Sequence, residues 1–132
     1  MDDVLVVEDD GLMRALVSEW LSQAGYAVRE AADGDDAVAT LQREPAALVI
    51  TDMSMPRRNG AQTLQWLHRE HSATPVIAMS GHFDSGRGYT REGALALGAS
   101  RVLAKPFRQD ELLEAVRQLI GAPLPPEPNA SR

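Results

Sequence analysis

The sequence contains no cysteine, which removes disulfides and thiolate metal sites from consideration. Aromatic residues make up only 5% of the 132, so any core must be built mainly from aliphatic side chains. No run is long and apolar enough to cross a bilayer, which takes about 20 residues. The opening Met1-Asp2-Asp3 is acidic and lacks the charged-then-apolar pattern of a secretory signal. Those two absences lead us to expect a cytoplasmic protein with no membrane partner. Positive charge is also short: 13 Lys and Arg stand against 19 Asp and Glu, a formal net charge of −6. A surface of that sign repels phosphates, so no direct nucleic-acid binding is expected, although a local basic patch remains compatible with it. No Gly-Lys-Ser/Thr phosphate loop is present.

What is present is an alternation. The length suits one domain with a real core, and 44% hydrophobic with 24% charged residues is ordinary for a globular chain. Val4-Leu5-Val6-Val7 reads as a buried strand that ends in Glu8-Asp9-Asp10. A helical pattern follows, with Leu12, Met13, Leu16, Val17, Trp20, Leu21 and Ala24 on its inner face and Gly25 as its stop. Tyr26 to Ala31 is a weaker strand carrying Arg29 and Glu30, which suits an edge. A second helix, through Ala37, Val38 and Leu41, ends before Pro45.

The third apolar run, Ala47 to Ile50, ends in Thr51-Asp52. Pro56 to Gly60 is a loop, and a helix through Leu64, Trp66 and Leu67 runs to about Glu70. Val76 to Met79 is a fourth strand ending at Ser80-Gly81, followed by a glycine-rich segment to Gly93 and a short helix over about 91–97. Val102-Leu103-Ala104 is a fifth strand ending in Lys105-Pro106. A last helix opens near Gln109 and stops at Gly121. Trp20 and Trp66 stand at helical spacing among apolar neighbours and read as packing residues.

Five strands alternating with five helices imply a doubly wound α/β domain over 1–121: a five-stranded parallel sheet with helices on both faces. Residues 122–132 hold four of the eight prolines and read as a Pro-rich disordered tail or linker. Met1 suits a natural start, while the tail suits a native end or a linker equally.

In a parallel sheet the ends of strands one, three, four and five reach one edge, where open α/β sheets place their chemistry. That edge collects Glu8, Asp9, Asp52, Ser80 and Lys105. Each has a plain reading alone: Asp52 as a turn residue or helix cap, the acids after strand one as charges that complement a helix dipole, Lys105 as a solvated surface lysine. Together they form a pattern. Three close carboxylates are costly unless a cation neutralises them or one takes a proton. With no cysteine, and none of the three histidines (His68, His71, His82) ending another of these strands, all-oxygen ligation suits Mg²⁺, with Mn²⁺ able to replace it. Lys105 and Ser80 add a positive charge and a hydroxyl for a phosphoryl group, and Asp52 is the candidate nucleophile.

The chain resembles the receiver domain of two-component response regulators over about residues 3–120. The resemblance rests on Val6-Val7-Glu8-Asp9-Asp10, Ile50 to Pro56 around Asp52, Asn59-Gly60, Ala78-Met79-Ser80-Gly81, Gly98-Ala99 and Lys105-Pro106-Phe107. It implies the flavodoxin-like strand order 2-1-3-4-5. It also implies that Asp52 accepts a phosphoryl group from a phosphohistidine of a sensor kinase or phosphotransfer protein. Asp9, Asp52 and the backbone carbonyl of Ser54 would hold the metal, with Glu8 acting through water. Ser80 and Lys105 would contact the phosphoryl group, and the Lys105-Pro106 bond would be cis. Such a chain catalyses only its own phosphorylation and dephosphorylation, is not an enzyme for a separate metabolite, and switches a surface for a downstream effector; a homodimer stays open.

Three features depart from the family. Val102 stands where many members carry a switch aromatic, three residues before the lysine. The Gly81–Gly93 segment is long, and reads either as a lid or as a slack connection. Ser54 and His82, each two past a site residue, flank the phosphate position, although a loop histidine also reads simply as solvent-exposed. Arg57-Arg58 reads as a solvated loop or a patch for an acidic partner. The alternatives are a phosphorylation-independent pseudo-receiver, a flavodoxin-like cofactor binder and a metal-dependent phosphohydrolase. The binder is opposed by acids where its phosphate loop should be, and the hydrolase by Ser54 where its second acid should be.

Overall fold

The computed structural model describes residues 3–53, 60–85 and 88–123. The order is β1 (Asp3–Val7), α1 (Gly11–Gln23), β2 (Ala27–Ala31), α2 (Gly34–Arg43), β3 (Leu48–Asp52), α3 (Gly60–Glu70), β4 (Val76–Ser80), α4 (Arg91–Ala96), β5 (Arg101–Ala104) and α5 (Gln109–Ile120). All pairings are parallel, and the sheet order is β2-β1-β3-β4-β5. The polar second strand lies at an edge, as its composition predicts, and β1, β3 and β4 fill the middle.

Alternation along each strand sends side chains to two cores. Val4, Val6, Ile50 and Met79 pack with Val17 and Leu21 of α1 and Leu112 and Val116 of α5. Leu5, Val7, Val49 and Ala78 pack with Leu41 of α2 and Leu64 and Leu67 of α3. Both tryptophans pack as expected: Trp66 is buried, and Trp20 meets Phe107 edge-on at 6.3 Å between ring centroids.

The first helix departs from its expected face. Leu12 is 85% exposed and Leu16 41%, whereas Val17 and Leu21 are buried with Met13, Trp20 and Ala24 beside them. The inner stripe runs through 13, 17, 20, 21 and 24, and Leu12 and Leu16 lie one residue earlier, about 100° around the helix. Asp10 sets the start of α1 by accepting hydrogen bonds from the Leu12 and Met13 amides (3.0 and 3.3 Å).

At the other end of the chain, the Tyr26 hydroxyl donates to the Gly121 carbonyl at 2.7 Å, tying the α1–β2 turn to the end of α5. Pro123 lies against Gly25 in the same place. The tail beyond it, at 124–132, lies outside the described residues, as do Ser54 and Arg57-Arg58.

Candidate functional site

The strand ends form the site because the backbone zips them together. The Glu8 amide donates to the Ala31 carbonyl (3.1 Å), the Met53 amide to Met79 (2.8 Å) and the Lys105 amide to Ser80 (2.9 Å). Helix α3 begins hard against this edge. A Cβ at Gly60 would collide with the Asp52 and Met53 backbone, so only glycine allows that approach. The Lys105-Pro106 bond is cis, as the resemblance implies.

The side chains converge. Glu8 is 1% exposed and Asp52 6%, while Asp9 faces solvent. One carboxylate oxygen from each of the three lies within 4.8 Å of the others. The Lys105 ammonium bridges two of them, 2.6 Å from Glu8 Oε1 and 3.3 Å from Asp52 Oδ2. The shorter contact goes to Glu8, for which the resemblance implies a role through water rather than a bond to the lysine.

Burial works against the Lys105 charge. The Glu8 hydrogen bond and the charges of Asp52 and Glu8 outweigh it and hold the ammonium pKa above its ordinary value. Asp9 is pushed up by partial burial first, then by its hydrogen bond to Glu8 and the Glu8 charge; its own backbone hydrogen bond and Lys105 oppose this. Counted formally, three carboxylates against one ammonium give the group an excess of negative charge.

Ser80 is buried, and its hydroxyl accepts the His82 amide at 2.9 Å. The His82 side chain lies in an exposed residue, matching its plainer reading. Two contributors carried no clear sequence signal. Arg14, on the first turns of α1, donates from Nη1 to the Glu8 carbonyl at 2.7 Å and pins the β1–α1 loop. Phe83, inside the glycine-rich segment, is 4% exposed and belongs to the core. A lone apolar residue in a polar loop was its only trace. A separate cavity of about 380 Å³ is lined by Gln65, His68, Arg69, Ala96 and Leu97, and involves none of the expected site residues.

An all-oxygen donor set with excess negative charge fits a hard divalent cation such as Mg²⁺. Glu8, Asp9 and Asp52 are the described residues that could hold it; the Ser54 carbonyl lies outside the described residues. Fold and site together define a doubly wound α/β protein with an acid triad, a hydroxyl and a lysine at its carboxyl edge.

Within that class, the chain belongs to the response regulator receiver domain family, whose model matches residues 4–117. It is 36% identical over 120 residues to the transcriptional regulatory protein CpxR of Klebsiella pneumoniae, covering 91% of this chain and 50% of that protein. It is 34% identical over 119 residues to the transcriptional regulatory protein GltR of Pseudomonas aeruginosa, covering 89% and 48%. The chain thus spans about half the length of the curated relatives it matches. Among solved structures, the receiver domain of NtrX from Brucella abortus superposes with a TM-score of 0.83 at 32% identity, covering 89% of this chain and 98% of that one. The chemotaxis protein CheY4 of Vibrio cholerae gives 0.81 at 30%, covering 90% and 98%. No helix among the described residues is long and apolar enough to cross a membrane.

Proposed function

We propose that the chain is a phosphoacceptor: Asp52 takes a phosphoryl group from a phosphohistidine on a sensor kinase or phosphotransfer protein. An Asp52 carboxylate oxygen attacks phosphorus, the P–N bond breaks, and its electron pair returns to the imidazole of the donor. The product is an acyl phosphate on Asp52. A divalent cation, when bound, neutralises phosphoryl oxygens. Glu8, Asp9 and Asp52 would hold it. Lys105 sits 3.3 Å from Asp52 Oδ2, so its ammonium is placed to orient the nucleophile and then to pair with the phosphoryl group. Ser80 supplies a hydroxyl next to the Asp52–Met79 strand pair. The Glu8–Lys105 bond fixes the lysine, since an ammonium already held by Glu8 loses less conformational entropy when it also pairs with Asp52.

The single observation that carries this reading is the convergence of three carboxylates and one ammonium on one sheet edge. On this reading the chain catalyses only its own phosphorylation and dephosphorylation, works in the cytoplasm beside its donor, and presents a phosphate-dependent surface to an effector protein or a second copy. A flavodoxin-like cofactor site is disfavoured, because buried Glu8 and neighbouring Asp9 and Asp10 would repel a cofactor phosphate.

The test is incubation with Mg²⁺ and acetyl phosphate, followed by intact mass. A single phosphoryl adduct that needs Mg²⁺ and is removed by hydroxylamine supports the reading. An unmodified chain under the same conditions makes it a phosphorylation-independent interaction module, and steady phosphate release from many esters makes it a hydrolase.

A further inference from the structure

We infer that Phe83 couples Ser80 to α4 in this chain, as a buried ring latched by Arg91 and Asp84. The inference rests on the reading of Asp52 as the phosphoacceptor, and it names how that site is read out.

The β4 and β5 side chains facing this layer are small. Ala78 lies in the buried cluster, and Val102 and Ala104 pack against it half-buried. Val102 has no ring to move. The one aromatic ring in the β4–α4 connection that the core takes up is Phe83, which shares the cluster with Ala94 of α4 and with Leu97. A phenylalanine buried from a loop ties that loop to the core through more apolar area than any of these neighbours offers.

Both ends of the Phe83 segment are fastened. On the near side, the His82 amide donates to the Ser80 hydroxyl at 2.9 Å, and the Ser85 amide closes a turn on the His82 carbonyl at 3.3 Å. On the far side, Asp84 accepts a forked pair from Arg91, Nε to Oδ1 at 3.3 Å and Nη2 to Oδ2 at 3.2 Å. Arg91 is the first residue of α4, and its guanidinium carbon lies 5.8 Å from the Phe83 ring centroid. One cation therefore holds both the ring and the acid beside it. The chain of contacts runs from the Ser80 hydroxyl to the His82 amide, the Phe83 ring, the Arg91 guanidinium and α4.

The latch has two arrangements. With Ser80 bonded to His82, the turn is anchored and the ring is seated. When the Ser80 side chain rotates about Cα–Cβ and carries its oxygen away from His82 to a phosphoryl oxygen on Asp52, the His82 amide loses that acceptor and the turn loses its anchor. Arg91 and Asp84 are solvent-exposed, so their pair is weak enough to open without a large barrier. Phosphate then biases the seated–released equilibrium through a difference in contacts that both ends sense.

The test is amide hydrogen exchange on the full chain, comparing wild type with Ser80→Ala, Phe83→Leu and Arg91→Gln, each with and without Mg²⁺ and acetyl phosphate. Without the phosphodonor, each substitution is expected to raise exchange in the Thr90–Leu97 region about two- to five-fold, the scale of one hydrogen bond or exposed ion pair. Exchange in α5 should stay at the wild-type rate. With the phosphodonor, wild type should rise in the same region, and Arg91→Gln should change less than half as much because its latch is already open. Wild-type rates in all three variants, or a phosphorylated wild type with unchanged exchange over 90–97, would overturn the inference. Absence of any adduct would instead overturn the reading of Asp52, while the phosphate-free comparison still decides the latch.

Discussion

On one side of the sheet's carboxyl edge, Glu8, Asp52 and Lys105 close a charged cluster above helices of 13 and 12 residues, α1 and α5. On the other side, beside Ser80, Phe83 and Val102 pack in one cluster with Ala94 of α4, a helix of six residues. The first side is anchored by strands buried along nearly their whole length, β1 and β3. On the second, Ser80 ends the fully buried β4, but Val102 lies on β5, where only Leu103 is buried, and the side is finished by an exposed Arg91–Asp84 pair and the exposed side chains of Tyr89 and Leu95. On the proposed function, the difference separates two tasks. Holding a reactive carboxylate demands rigid neighbours, because geometry sets its reactivity. Changing shape demands neighbours whose local opening costs little.

The sharpest way to probe this contrast is to empty one seat on each side. Phe83→Ala should cost about 3 kcal/mol by urea unfolding, at the low end for a buried aromatic because its loop can partly collapse. Leu112→Ala, in the α5 core, should cost a similar amount. The contrast breaks if Phe83→Ala is neutral, since the ring would then not be part of the core. Next in size is Lys105→Ala. It leaves Glu8 buried without its cation, which costs about 2 kcal/mol once the partial exposure of the lysine is discounted from the value for a sealed pair.

The same lysine gives a pH signature. Its folded pKa lies above the unfolded one, so its contribution is complete below about pH 10.4 and is lost as pH rises through the folded value. Wild type should therefore lose more stability than Lys105→Ala on alkaline titration of the unfolding midpoint.

A smaller effect tests the excess negative charge. Mg²⁺ at ten times its Kd should raise unfolding stability by about 1.4 kcal/mol through mass action, and Asp9→Asn should lower that gain. A gain that is the same in both chains would remove Asp9 from the metal set. Smallest is Tyr26→Phe, which deletes the hydrogen bond to the Gly121 carbonyl far from either side. It should cost about 1 kcal/mol in chemical denaturation and leave both the charging and the exchange behaviour unchanged.

The charged side was largely legible in the sequence because strand ends are marked by abrupt changes from apolar to polar residues. Asp52 after Leu48 to Thr51, and Glu8 after Val4 to Val7, each sit where a buried run stops. Parallel topology then brings those ends together without further information. What the sequence did not show were contacts set by side-chain direction. The Lys105 ammonium lies closer to Glu8 than to Asp52, and Arg14 reaches back to the Glu8 carbonyl. Leu12 and Leu16 looked inward on a helical wheel too wide by one residue.

The side that holds Phe83 was hardest to foresee. The glycine-rich segment after Ser80 carries turn signals throughout, and nothing in its periodicity says that Phe83 dives into the core. Its burial follows from space left by small side chains on β4 and β5, a fact of three-dimensional packing rather than of pattern.

The central claim is that Asp52, and no other carboxylate of the triad, carries the phosphoryl group. The direct measurement is borohydride trapping of the acetyl-phosphate-treated chain followed by peptide mass mapping. The account predicts reduction confined to Asp52 and absent from Asp52→Asn, and modification at Glu8 or Asp9, or an undiminished adduct in Asp52→Asn, would contradict it.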